Sequence, residues 1–289
     1  IIAQMTAGFT GADLENLVNE AALLAGREGK STVSYTDFEA AVLRTIAGIE
    51  KKRSLLTAGE KRTVSAHEVG HALVAAAVGR LIPDTERPET LSIVSRSGGA
   101  LGFTYTPPTE DRWLMYKDEL LGKVTTFMGG RAAEMVVCKR ISSGASDDIQ
   151  RATNLAYKSV AELGFSASLG PMSVSTLSSG GNEDLLIGSD KASEADAVVE
   201  KEVKHTLTTS LLVACDVVRS NPEVMSELTA ALAEKEKIYG DELQKYLDRV
   251  VAPPSLALFL RGEAPPVTPA DVELLSNFPL PEFASTTAR

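Results

Sequence analysis

Apolar residues recur at helical spacing over most of this chain. Leu14, Leu17, Val18, Ala21 and Ala25 form one stripe, opened by Thr10 with Asp13 three residues on, so the pattern predicts a capped helix over residues 10–26. Ser34 and Asp37 repeat the signal ahead of Phe38, Ala41, Val42 and Ile46, and this small helical unit is expected to end near Lys52. Residues 59–79 read as one helix, with Val64, Leu73, Val74, Ala77 and Val78 available for packing. The period then changes. Residues 90–96 and 100–106 read as two strands joined by Ser97-Gly98-Gly99, and Pro107-Pro108 stops the second. Helical spacing returns over residues 109–137, where Gly129-Gly130 permits close packing. It returns again over 146–164, with Ile149, Ala152, Leu155, Ala156 and Val160. Residues 165–190 are rich in Ser and Gly and are expected to be mobile. Helices are predicted over 192–220, 222–235 and 240–250. The tail from Ala252 holds seven of the 13 prolines and is expected to be extended or disordered.

Composition narrows the class. At 289 residues, 44% of them hydrophobic and 24% charged, the chain can bury a sizeable core of ordinary globular make-up. A net charge of −10, with no basic stripe to offset it, argues against nucleic acid as a partner. Cys138 and Cys215 are far apart and form no CxxC, which excludes a disulfide scaffold. No apolar run reaches the length of a bilayer span. The chain opens on Ile1-Ile2-Ala3, without an initiator Met or signal peptide, and is read as part of a longer protein.

The chemistry lies in His67-Glu68-Val69-Gly70-His71. Two of the chain's three histidines sit four apart on the predicted helix, so both imidazoles can face one metal ion. Zinc takes four ligands, and a catalytic site keeps one for water, so a third protein ligand is required. Glu68 is placed to take a proton from a zinc-activated water. His205, among Lys201, Glu202 and Lys204, reads as part of a solvated helix face and is a poor third ligand. Asp147 and Asp148 are better, because they open a helix after the glycine-containing loop Ser142-Ser143-Gly144; spacing alone leaves open which of them binds. Gly29-Lys30-Ser31 resembles the end of a phosphate loop. Leu24 occupies the position of its first glycine, however, and the run follows a helix, so no ATP site is expected in this stretch.

Several separate motifs then coincide. Thr6-Ala7-Gly8-Phe9-Thr10-Gly11-Ala12-Asp13-Leu14, the HExxH, Ala100-Leu101-Gly102-Phe103-Thr104, Gly129-Gly130-Arg131-Ala132-Ala133-Glu134 and Ser143-Gly144-Ala145 occur in one order. In this the chain resembles the FtsH-type, membrane-anchored AAA+ zinc metalloproteases, continuously to about Leu247. The resemblance implies a mainly α fold: a helical zinc metallopeptidase domain with a small β-hairpin or sheet over residues 53–250. Residues 1–52 would be the end of an AAA+ helical lid; 251–289 lie beyond the likeness and are expected, from their prolines, to be a disordered tail. It implies Zn2+ held by His67, His71 and Asp148, the aspartate directly before an isoleucine, with Glu68 as general base. Glu134 matches a family glutamate near the site, whereas Asp147 departs from the usual Asn; both are candidates for supporting the ligands. ATP and Mg2+ would belong to an ATPase core preceding Ile1. The expected partners are unfolded polypeptide substrates and a homo- or hetero-hexamer. Residues 96–108 look most like the plant and algal organelle members. They point to a chloroplast membrane, thylakoid or envelope, with the protease facing the stroma; a bacterial cytoplasmic or mitochondrial inner membrane is the alternative. A non-proteolytic assembly or chaperone subunit is the rival function, disfavoured by the intact HExxH. A structural zinc module would need a fourth protein ligand that the sequence lacks. Substrate is expected to pair along the strand Ala100, Leu101, Gly102, Phe103, Thr104, Tyr105 and Thr106, if that strand is a sheet edge.

Overall fold

The computed structural model describes residues 2–6, 8–49, 56–83, 85, 87–96, 101–107, 114–174, 176 and 189–278. A single turn, α1 (Ile2–Met5), leads into α2 (Gly11–Arg27) and α3 (Tyr35–Ala47). Their starts are set by the expected capping residues. The main-chain N–H of Thr10 donates to the Asp13 carboxylate at 2.9 Å, and that of Ser34 donates to Asp37 at 2.8 Å. Leu17, Ala21, Ala41, Val42 and Leu43 close a small core between the two helices. Leu14 and Val18, predicted on the same stripe, are exposed.

The larger body is built around α4 (Ala58–Leu81), which carries the HExxH. Thr57 and Glu60 cap it in the same reciprocal way as α2 and α3, with the N-cap two residues before the predicted start. Against it packs α5 (Lys117–Ala133), continued by a π-helical turn, Glu134–Cys138. The predicted helix over 109–137 is thus shorter at its front: Leu114 to Tyr116 are non-helical and Tyr116 serves as N-cap, while 109–113 lie outside the described residues. The contact between α4 and α5 is glycine on glycine. A Cβ on Gly70 would lie 2.3 Å from the Gly129 carbonyl oxygen, and one on Gly129 would lie 2.7 Å from that of Gly70. No other residue fits at either position, and the two backbones meet where the histidines project.

After a 3₁₀ turn (Ser143–Ala145), α6 (Ser146–Ala161) and α7 (Ser189–Ser220) complete the layer on the far side of α5. The helices α8 (Pro222–Lys235) and α9 (Gly240–Leu247) follow. Half of the predicted mobile stretch 165–190 lies outside the described residues, and within the other half Val174 is buried against Val160 and Val199. The expectation of an extended tail is overturned for residues 254–277. α10 (Pro254–Leu260) and α11 (Pro269–Asn277) are helices, and Leu256, Phe259, Leu260 and Leu274 enter the main core. Two of the seven prolines, Pro254 and Pro269, occupy first-turn positions, where a missing N–H costs nothing and a fixed φ favours the helix. The end of that tail, 279–289, lies outside the described residues.

The sheet is small and antiparallel. β1 (Thr90–Ser92) lies between β2 (Phe103–Tyr105) and β3 (Lys237–Tyr239), with Leu91 opposite both Thr104 and Ile238. The third strand was missed because Lys237-Ile238-Tyr239 is too short to show alternation between two helices. The Ser97-Gly98-Gly99 turn and Ala100 lie outside the described residues. β2 is an edge strand whose side chains alternate. Phe103 and Tyr105 pack on the small core of α2 and α3, while Thr104 turns toward α4. Arg96, 2% exposed, ties the two bodies together: its Nη1 donates to the carbonyls of Leu43 (3.1 Å) and Gly48 (2.8 Å), and its guanidinium lies 4.4 Å over the Phe103 ring.

Candidate metal centre

His67 and His71 face the same way from adjacent turns of α4, both buried, with ring centroids 4.8 Å apart. The first turn of α6 brings Asp148 to them. His67 Nε2 lies 3.1 Å from His71 Nε2 and 3.2 Å from Asp148 Oδ2, and His71 Nε2 lies 3.3 Å from the same oxygen. Among the described residues these three form the one group of side chains able to hold a metal ion. Tetrahedral ligands at zinc bond lengths of about 2.0–2.1 Å stand about 3.3–3.4 Å from one another, so the triangle has the size that zinc needs.

The groups behind the imidazoles settle which nitrogen carries the lone pair. His71 Nδ1 is 2.8 Å from the main-chain oxygen of Thr126, which can only accept, so Nδ1 carries the proton and Nε2 the lone pair. His67 Nδ1 is 2.9 Å from Glu134 Oε1. Burial would raise the pKa of Glu134. Hydrogen bonds from His67 and from the Ser142 N–H and hydroxyl, the latter two at 2.7 and 2.8 Å, outweigh it and hold the carboxyl below its usual range. An ionised Glu134 again makes Nδ1 the donor. Two lone pairs and a carboxylate oxygen therefore converge on one point, an arrangement that repels itself unless a cation sits there. Burial opposes charge on His67, but Asp148 and Glu134 win and raise its pKa to about 10, while Asp148 is held well below the usual carboxylate range.

Glu68 stands apart from the ligand triangle. It is buried, and its Oε2 accepts a hydrogen bond from the Thr104 hydroxyl at 2.9 Å. Burial pushes its pKa up, against the pull of the two histidines and Thr104. Its surroundings are shaped by glycine. A Cβ on Gly102 would come within 2.7 Å of Glu68 Oε1, and one on Gly130 within 2.4 Å of the His67 ring.

The other sequence candidates separate. Asp147 points away from the site: it pairs with Arg151 at 2.8 Å, both largely exposed, so it supports no ligand. His205 lies on the exposed face of α7, outside the ligand group. Leu101, Gly102, Phe103, Thr104, Tyr105 and Thr106 are described, with Gly102 and Thr104 beside Glu68. Sequence reasoning missed Thr104 as a partner of Glu68, Ser142 as a partner of Glu134 and the carbonyl of Thr126. The last leaves no trace in sequence, because every residue has a carbonyl.

Comparison with known proteins agrees with the geometry. The profile of Peptidase family M41 matches residues 54–246, a span that contains His67, Glu68, His71 and Asp148. The chain belongs to peptidase family M41. Ahead of its M41 region, residues 1–40 match the AAA+ lid domain. Among curated M41 relatives, ATP-dependent zinc metalloprotease FTSH 7, chloroplastic, of Arabidopsis thaliana is 56% identical over 93% of this chain and 34% of its own length. FTSH 9, chloroplastic, of the same plant is 55% identical over the same shares. FtsH of Thermotoga maritima is 41% identical over 86% of this chain and 40% of its own length. The chain spans about a third of the length of the plant relatives.

Proposed function

We propose that this chain is the proteolytic part, with the end of the ATPase lid, of an ATP-dependent zinc endopeptidase that degrades unfolded or damaged proteins. The observation that carries the reading is the convergence of two lone-pair nitrogens and a carboxylate oxygen beside a buried glutamate that is not one of them. His67, His71 and Asp148 would hold Zn2+. When bound, zinc acidifies water and polarises the carbonyl of a peptide bond. Glu68, kept off the triangle by its bond to Thr104, takes the proton from the attacking water and returns it to the leaving amine. Burial raises its pKa toward the pH at which both transfers occur, which suits an alternating base and acid. Glu134 and the Thr126 carbonyl hold the imidazoles in the tautomer that can bind metal.

β2 supports a mode of substrate binding. It is the edge of the sheet and runs past Glu68, so an extended chain pairing along it would lie beside the base and be held through backbone groups, with little sequence preference. The FTSH 7 and FTSH 9 likenesses support a chloroplast location; a hexameric, membrane-anchored parent with its protease facing the stroma is the finer part of the proposal. No helix among the described residues is long and apolar enough to cross a membrane. The test is casein cleavage by the full-length parent with ATP. Activity should disappear with a chelator, return with zinc, and be absent in Glu68→Gln. Hydrolysis that persists in the metal-stripped protein would overturn the reading.

A further inference from the structure

We infer that Thr104 is the positioning residue of the catalytic base, an inference that rests on Glu68 being that base. Of the two carboxylate oxygens of Glu68, Oε2 is engaged by the Thr104 hydroxyl at 2.9 Å. Among the described residues no hydrogen bond reaches Oε1. The same hydroxyl lies 3.3 Å from the main-chain oxygen of Glu68, a second and longer acceptor for its one proton, so Thr104 sits against the backbone of α4 while it donates to the side chain. The missing side chain of Gly102 leaves room for the Glu68 side chain: a Cβ there would lie 2.7 Å from Oε1, 2.9 Å from Cγ and 2.9 Å from the Ser92 carbonyl oxygen. One oxygen is tied and the other is free to receive a proton. Without the tie, Glu68 could rotate toward the two imidazoles, where a fourth ligand would fill the place that water needs. Thr104 sits at the second residue of β2, and period-two alternation dictates its direction: Phe103 and Tyr105 face the lid, so Thr104 must face α4. The strand proposed to bind substrate therefore also fixes the base that acts on it.

The experiment uses the full-length parent protein with ATP and unfolded casein, comparing Thr104→Val, Thr104→Ser and Glu68→Gln. Valine keeps the shape and β-branching of threonine and removes only the donor, whereas serine keeps the donor. Thr104→Val should lower kcat about 10- to 100-fold, a part of the 10²–10⁴ that a general base contributes, with KM, zinc content and ATP hydrolysis within about twofold of the parent. Thr104→Ser should recover kcat to within about threefold. A purely structural threonine would behave otherwise, with valine losing zinc or raising KM and serine no better than valine; either result would overturn the inference. So would full kcat in Thr104→Val while Glu68→Gln is inactive, which leaves Glu68 as base and removes only its positioning. Turnover that survives in Glu68→Gln would instead overturn the underlying reading.

Discussion

At the scale of single residues, the site is a problem of where protons sit. Glu68→Gln removes a base and no ligand, so zinc should stay at full occupancy while peptide hydrolysis falls at least 100-fold, as metal analysis and a cleavage assay would show together. Asp148→Ala should cost most of the zinc, while Asp147→Asn should leave zinc content unchanged, because Asp147 engages only Arg151. The raised pKa of His67 makes a further prediction, with its sign fixed. The ordinary value is 6.5 and the folded, metal-free value about 10, so the bound proton stabilises the metal-free fold fully below pH 6.5. That contribution is lost as pH rises through about 10. Zinc must displace this proton. Its affinity should therefore climb between pH 6.5 and 10 by up to about tenfold per unit, and calorimetry at pH 8 should find about one proton released per zinc. His67, Glu68 and His71 were legible because their roles follow from spacing on a helix. Asp148 needed the resemblance, since two neighbouring aspartates share the same local pattern and only the turn of α6 directs one inward. Thr104 was hidden because its partner lies 36 residues away.

At the scale of elements, the centre depends on how closely two helices approach. Gly130 faces the His67 ring so tightly that Gly130→Ala must move the imidazole or part α4 from α5. Zinc content should fall at least tenfold, and the melting temperature should drop in the same variant. Gly59, exposed near the start of α4 with open space around it, should accept alanine without loss of zinc and serves as the control. Proline at Phe103 tests β2 as the substrate edge. If that residue's N–H faces outward, cleavage should weaken with zinc retained; unchanged cleavage with proline at both Phe103 and Thr104 would remove substrate pairing along β2. Helix starts were readable because hydroxyl and acid recur three residues apart. β3 was not, since three residues carry too little alternation to stand out. The tail misled for a definite reason: proline counts against a helix in its interior but favours one at its first turn, so composition without position gave the wrong sign.

At the scale of the whole molecule, the same tail is part of the core. Leu256 is fully buried, and Leu256→Ala should destabilise the fold by about 2–5 kcal/mol in denaturant unfolding, far more than a change in a loose tail could. Cutting the chain after Val250 should have a larger effect still. Capping signals marked out a small helical unit ahead of the HExxH helix, but its contact with the rest of the chain was not legible. Among the described residues it includes Arg96, Phe103 and Tyr105; the two aromatics were read as part of a strand, but nothing in that reading shows what their rings pack on. The contact has a practical consequence for dissection. The family boundary invites a cut near residue 54, yet the side chains of Phe103 and Tyr105 rest on the helices that such a cut discards. The trimmed protein would present two bare aromatic rings on an edge strand whose backbone is already open to pairing, which is a template for strands of other copies. Light scattering should show residues 54–289 clustering at concentrations where the untrimmed chain stays dispersed, and charged replacements of the two rings should restore dispersion. The helices of residues 2–47 are thus expected to keep the rest of the chain dispersed by covering those two rings.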